Sequence, residues 1–208
     1  MVFPAQSRVL PYVVVLGVTF ALTLGGILAR PIESLSLFWP VNAVLAGVLL
    51  RYPRQATFTG FCLVWLAMVG ADLLCGSAWG PALWFNLCNL GVVVTLWLLM
   101  SRLPRMHRRM RSPHGVLSVF AACAAAAMVA ASMAAVMAAP WFEQSLRATW
   151  LAWFSEQFST GVLVLPVLLT APSVRALVRG GAQPIRLAPL LVLLASLAFS
   201  IACGGPGA

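Results

Sequence analysis

Residues 115–139 read GVLSVFAACAAAAMVAASMAAVMAA, twenty-five positions without a single charge. As a helix rising 1.5 Å per residue this run is about 37 Å long, more than the roughly 30 Å of hydrocarbon in a bilayer. Its alanines also carry packing information. Ala127, Ala131 and Ala135 form small-xxx-small steps that let two backbones approach closely. Two uses of that face stay open: a tightly packed interior helix, or a homodimer contact with a second copy of the chain.

Working outward, the same length criterion predicts five further firm spans and a seventh. The first runs from Val9 to Leu28, the second from Leu35 to Leu50, and the third from Ala56 to Gly76. The fourth is Pro81 to Met100, the fifth is Gly115 to Ala139, and the sixth is Trp150 to Thr170. The seventh begins near Leu187 and reaches Ala202, before Gly204-Gly205-Pro206-Gly207 breaks it. The second is short and contains Pro40, which predicts a kinked or tilted helix. The expected fold is therefore an all-α polytopic transmembrane bundle occupying residues 1–208, with no soluble domain in the chain. The first run is too long for a signal-peptide core and is kept as an anchor.

Composition supports the same class. Of the 208 residues, 62% are hydrophobic and 8% charged, and the mean hydropathy is +0.99. Soluble domains carry roughly 25% charged residues, so a soluble enzyme, a disulfide scaffold and a disordered chain are excluded. All 13 basic residues are arginine, against four acids: Glu33, Asp72, Glu143 and Glu156. The arginines sit between apolar runs, which reads as topology and contact with membrane lipids rather than nucleic acid. One alternating set of loops holds Arg8, Arg51, Arg54, the Arg102/Arg105/Arg108/Arg109/Arg111 cluster, Arg175, Arg179 and Arg186, which is 11 of the 13. The N-terminus is predicted to be cytoplasmic, with the 101–114 loop facing anionic headgroups. A seventh crossing then leaves Ala208 outside, and the expectation is a piece of a longer protein.

Chemistry-bearing constellations are missing from the pattern. His107 and His114 lie in the basic loop, where solvated surface is the expectation. The five cysteines (Cys62, Cys75, Cys88, Cys123, Cys203) show no metal-ligand spacing and read as small apolar packers. No catalytic residue, metal or cofactor is expected. What remains is a short list of polar groups inside apolar runs: Asn42, Asp72, Asn86, Asn89, Glu156 and Gln157. Mid-span charges cost about 2.5–3.5 kcal/mol on insertion scales, so such groups face partners or a cavity. From the predicted span ends, Asp72, Asn86 and Glu156 lie about 6–9 Å below the outer boundary. Two readings stand side by side: interfacial groups acting as helix glue, or an outward polar pocket.

Two stretches carry a resemblance. One is Phe38-Trp39-Pro40-Val41-Asn42-Ala43 followed by Arg51-Tyr52-Pro53-Arg54; the other is Trp150-Leu151-Ala152-Trp153-Phe154-Ser155-Glu156 with Gly161 and Pro166. In this order and spacing they resemble the first type of membrane-associated sensor domain, the MASE family. Ala43 and Ser159 stand where that family usually has glycine. The resemblance implies about eight spans and an input module at the N-terminus of a bacterial inner-membrane signalling protein. Such modules are followed by PAS, diguanylate cyclase, cyclic-di-GMP phosphodiesterase or histidine kinase domains. The expected pocket comprises Trp39, Asn42, Asp72, Asn86, Asn89, Trp153 and Glu156. Its stimulus is a small ligand or a partner membrane protein, and Glu156 is the position expected to be most sensitive. The alternative is a substrate-binding membrane component or small transporter.

Overall fold

The computed structural model describes residues 9–28, 39–108, 110, 112–142 and 145–171. These fold into helices α1 (Val9–Leu28), α2 (Val41–Arg51), α3 (Phe58–Leu74), α4 (Trp79–Arg102), α5 (Arg105–Arg108), α6 (Pro113–Phe142) and α7 (Leu146–Thr170). No strand occurs among the described residues. Helices are the expected answer for apolar runs, because a helix satisfies its backbone groups internally.

Four helical stretches are long and apolar enough to cross a membrane: Pro11–Leu28, Trp79–Arg102, Pro113–Ala138 and Leu146–Thr170. The six firm spans of the sequence reading are therefore four of membrane length among the described residues, and the proposed seventh lies outside them. Two predicted spans are shorter among the described residues. Of Leu35–Leu50, residues 35–38 lie outside the described residues, and the described part holds an 11-residue helix about 16 Å long. Pro40 stands at its N-cap rather than kinking its interior. A proline has no N–H to donate and disfavours the helical conformation for the residue before it, so it starts a helix more readily than it continues one. In place of Ala56–Gly76 there is a 17-residue helix, about 25 Å long. A 3₁₀ turn at Pro53–Gln55 and the Thr57 cap, whose hydroxyl accepts from Gly60 N–H at 3.1 Å, take up the first residues of that run.

Around the bundle, α6 packs against α4 and α7, and α1 packs along α3. α2 is wedged between α4 and α7 and touches α1. Eight of its residues are buried. Gly47 marks how closely it lies against α7, since a Cβ there would fall 2.9 Å from Leu168 Cδ1.

The alanines of α6 complete the main core. Ala126, Ala130, Ala131 and Ala134 cluster with Ala43 and Ala46 of α2, Cys88, Val92 and Leu96 of α4, and Val164 and Leu165 of α7. Ala127, Ala131 and Ala135 are likewise buried. That face is used inside the chain's own bundle, in line with the interior-helix alternative.

Candidate functional site

Five polar residues of the apolar runs, Asp72, Asn86, Asn89, Asn42 and Gln157, come from four helices and are joined by side-chain hydrogen bonds. Asp72 lies two residues before the end of α3 and is half-buried. Asn86 and Asn89, three apart on α4, share one helix face. Asn42 is the second residue of α2, and Gln157 lies in the middle of α7. Asn86 Nδ2 donates to Asp72 Oδ2 and, at 2.9 Å, to the Ala82 carbonyl one turn earlier. Asn89 Nδ2 donates to Asn86 Oδ1 at 3.5 Å. Asn42 Nδ2 donates twice, to Asn89 Oδ1 at 2.8 Å and to Gln157 Oε1 at 2.9 Å. Ser77 Oγ donates to the second oxygen of Asp72 at 3.4 Å.

The carboxylate orders this chain. Asp72 Oδ2 accepts here, so Asn86 turns its NH₂ toward it and offers its oxygen to Asn89. Asn89 in turn presents its oxygen to Asn42. Each of the three asparagines thus donates toward Asp72, and the polarity runs from α2 through α4 to α3. At the far end Asn42 Oδ1 is buried and has no hydrogen-bond partner among the described residues. The four amides are at most 4% exposed, so the network is buried from Asn86 inward.

Depth along the helices differs from the sequence reading. α4 starts at Trp79 and α7 at Leu146, earlier than the predicted starts at Pro81 and Trp150. Asn86 is therefore seven residues and Glu156 ten residues into its helix, about 10 and 15 Å. Asn42, at the start of α2, bonds to the middle of α7. The short helix thus begins partway along the bundle.

The other expected pocket residues take different places. Trp39 is buried, with its ring among Val15, Leu45, Leu49 and Met68. Its backbone N–H donates to Thr160 Oγ1 at 3.3 Å. Trp153 belongs to the alanine-rich core and stacks on Phe85, with centroids 5.5 Å apart. Glu156 is 9% exposed and directly precedes Gln157. The links that sequence reasoning left out of the pocket are Gln157 and Thr160. Their spacing of three on one face of α7 was the available signal.

At the opposite end of α2, Arg51 does something other than mark topology. Its Nη1 donates to the carbonyls of Leu168 at 2.8 Å and Ala171 at 2.9 Å, capping the end of α7. Of the basic cluster, Arg102 is exposed at the end of α4, Arg105 and Arg108 lie on α5, and Arg108 is half-buried. Arg109 and Arg111 lie outside the described residues. No three His, Cys, Asp or Glu side chains among the described residues are grouped to hold a metal ion.

Comparison with known proteins adds sequence relatives only. No family model matches the chain, so the MASE resemblance rests on its motifs. No solved structure matches it either. The chain is 34% identical over 179 residues to a protein described as probable diguanylate cyclase DgcF from Escherichia coli O157:H7. That alignment covers 86% of this chain and 37% of the relative's length. A 55-residue stretch is 44% identical to the protein of the same description from Escherichia coli strain K12, covering 26% of this chain and 17% of that protein. The chain thus spans little more than a third of the first relative and less than a fifth of the second is aligned.

Proposed function

We propose that this chain is a sensory input module embedded in the bacterial inner membrane, multi-pass with a cytoplasmic N-terminus, and that it regulates a cyclic-di-GMP signalling output. Homology over most of the chain to a protein described as a probable diguanylate cyclase supports the signalling context. The apolar helices of membrane length are compatible with an embedded module. The catalytic output, whether cyclase, phosphodiesterase or kinase, belongs in this reading to sequence outside these 208 residues.

The observation that carries the sensing role is the buried amide chain ending at the start of α2. Helix glue needs only a pairwise bond. Here one asparagine holds α4 and α7 at once, and its own carbonyl is left over. A small polar ligand, or a partner helix, that competes for the Asn42 amide changes how α2 sits on α7. Arg51 carries that change to the last carbonyls of α7. A ligand shifts the balance only by its difference in affinity for the two arrangements.

The test is cellular cyclic-di-GMP measured with the full-length gene product carrying Glu156→Gln or Gln157→Leu. Altered output at unchanged membrane abundance is expected, with the larger change for Glu156→Gln. Wild-type output and an unchanged response from both variants would overturn the role. The intact mass of the native polypeptide checks the companion expectation of a much heavier protein.

One feature favours a second reading as a substrate-binding component or small transporter. A helix that starts mid-bundle with polar groups at its N-terminus is how carriers build sites at interrupted helices. Uptake of labelled solutes by the chain in liposomes separates that reading from the first.

A further inference from the structure

The turn between α4 and α6 is folded onto the bundle rather than looped away from it. Gly115, in the first turn of α6, lies directly under α5. A Cβ at that position would fall 2.5 Å from the His107 carbonyl oxygen and 3.0 Å from His107 Cα. Ser112 Oγ accepts from Gly115 N–H at 3.2 Å, and Met110 closes the turn with a positive φ of 51° and an N–H bond to His107 O at 3.0 Å. The result is a short basic shelf pinned to the start of a long apolar helix.

Arg108 sits on that shelf, half-buried, with its Nε enclosed and without an acceptor among the described residues. No acid occurs anywhere in residues 101–114. Of the chain's four acids, the two on described helices stand elsewhere: Asp72 at the end of α3 that leads into the start of α4, and Glu156 in the middle of α7. The Nε itself is out of a ligand's reach, so a phosphate meets Arg108 from the half-exposed side of its guanidinium, whose planar fork matches phosphate geometry. Just past the shelf, α6 presents Val116, Leu117 and Phe120 outward, 39%, 67% and 44% exposed. With α5 packed on the start of α6, a cationic side chain and an exposed apolar stretch share one corner, which suits an anionic headgroup joined to an acyl chain better than a free anion.

We propose that this corner is a binding site for one anionic phospholipid, its phosphate on Arg108 and its acyl chain along Val116, Leu117 and Phe120. The site rests on the reading that these helices lie in a membrane.

The experiment is native mass spectrometry of the purified full chain, released from micelles holding equal amounts of phosphatidylglycerol and phosphatidylcholine. Retained phosphatidylglycerol is expected, about tenfold reduced in both Arg108→Gln and Arg108→Lys. The lysine variant keeps the charge and loses only the planar fork. Arg147→Gln, exposed at the start of α7, is expected to retain wild-type occupancy. Full retention by Arg108→Lys, an equal loss in Arg147→Gln, or equal retention of the two lipids would overturn the site in favour of diffuse attraction. Displacement of the lipid by excess inorganic phosphate would overturn it in favour of a simple anion pocket. Carbonate extraction of cell membranes tests the underlying reading separately: a chain released by carbonate is not membrane-embedded, whatever lipid it binds.

Discussion

α1 and α2 are both apolar, both follow directly along the chain, and they treat their polar residues in opposite ways. α1 buries Thr19 and Thr23, but each hydroxyl donates to the carbonyl four residues back, at 2.7 and 2.8 Å, within the same helix. With its buried hydroxyls satisfied at home, α1 turns much of its surface outward, and Val13, Val14, Leu16 and Val18 are exposed. α2 buries Asn42, whose amide has no such local partner and reaches to α4 and α7. It is held at its other end by Arg51 on the carbonyls of α7. A polar side chain satisfied inside its own helix leaves that helix free to face lipid. One satisfied across helices commits its helix to the interior.

Substitutions test this contrast. The largest effect is expected at Asn42→Leu, which leaves Asn89 Oδ1 and Gln157 Oε1 without their donor. Leaving buried acceptors unsatisfied costs about 2–3 kcal/mol, read as a lowered unfolding midpoint in detergent. Arg51→Gln comes second. It releases two carbonyls at the end of α7, but at a half-exposed site where water replaces part of the loss, so about 1 kcal/mol is expected in the same titration. Thr19→Val should be smallest, within about 0.5 kcal/mol, because its carbonyl acceptor keeps its helical bond. A Thr19→Val variant as unstable as Asn42→Leu would show that burial alone, and not the cross-helix bond, separates the two helices.

The same contrast explains what could be read without a structure. α1 is helical across its predicted span, and α4, α6 and α7 each extend a few residues beyond theirs, because long apolar runs bounded by arginine, proline or glycine leave little choice. Pro40 was visible, but its consequence was not. A proline inside an apolar run fits a kink or a helix start equally well, and the difference is whether the residues before it pack as helix. The polar residues were legible as a list and correctly placed on four helices. Their connections were not, since Gln157 becomes a partner of Asn42 only because α2 begins halfway along α7. Trp153, grouped with the polar residues by its motif, packs with Phe85 instead.

Sequence by itself determined that this chain is helical and apolar, and where its long helices run, because backbone hydrogen bonding in an apolar setting admits few alternatives over runs of that length. Tertiary structure alone decided which helix is central, which alanine face is used internally, and which amide meets which. Those outcomes depend on distances between segments far apart in the chain. An asparagine's chemistry states that it needs a partner, and only the packing of α2 against α4 and α7 supplies one.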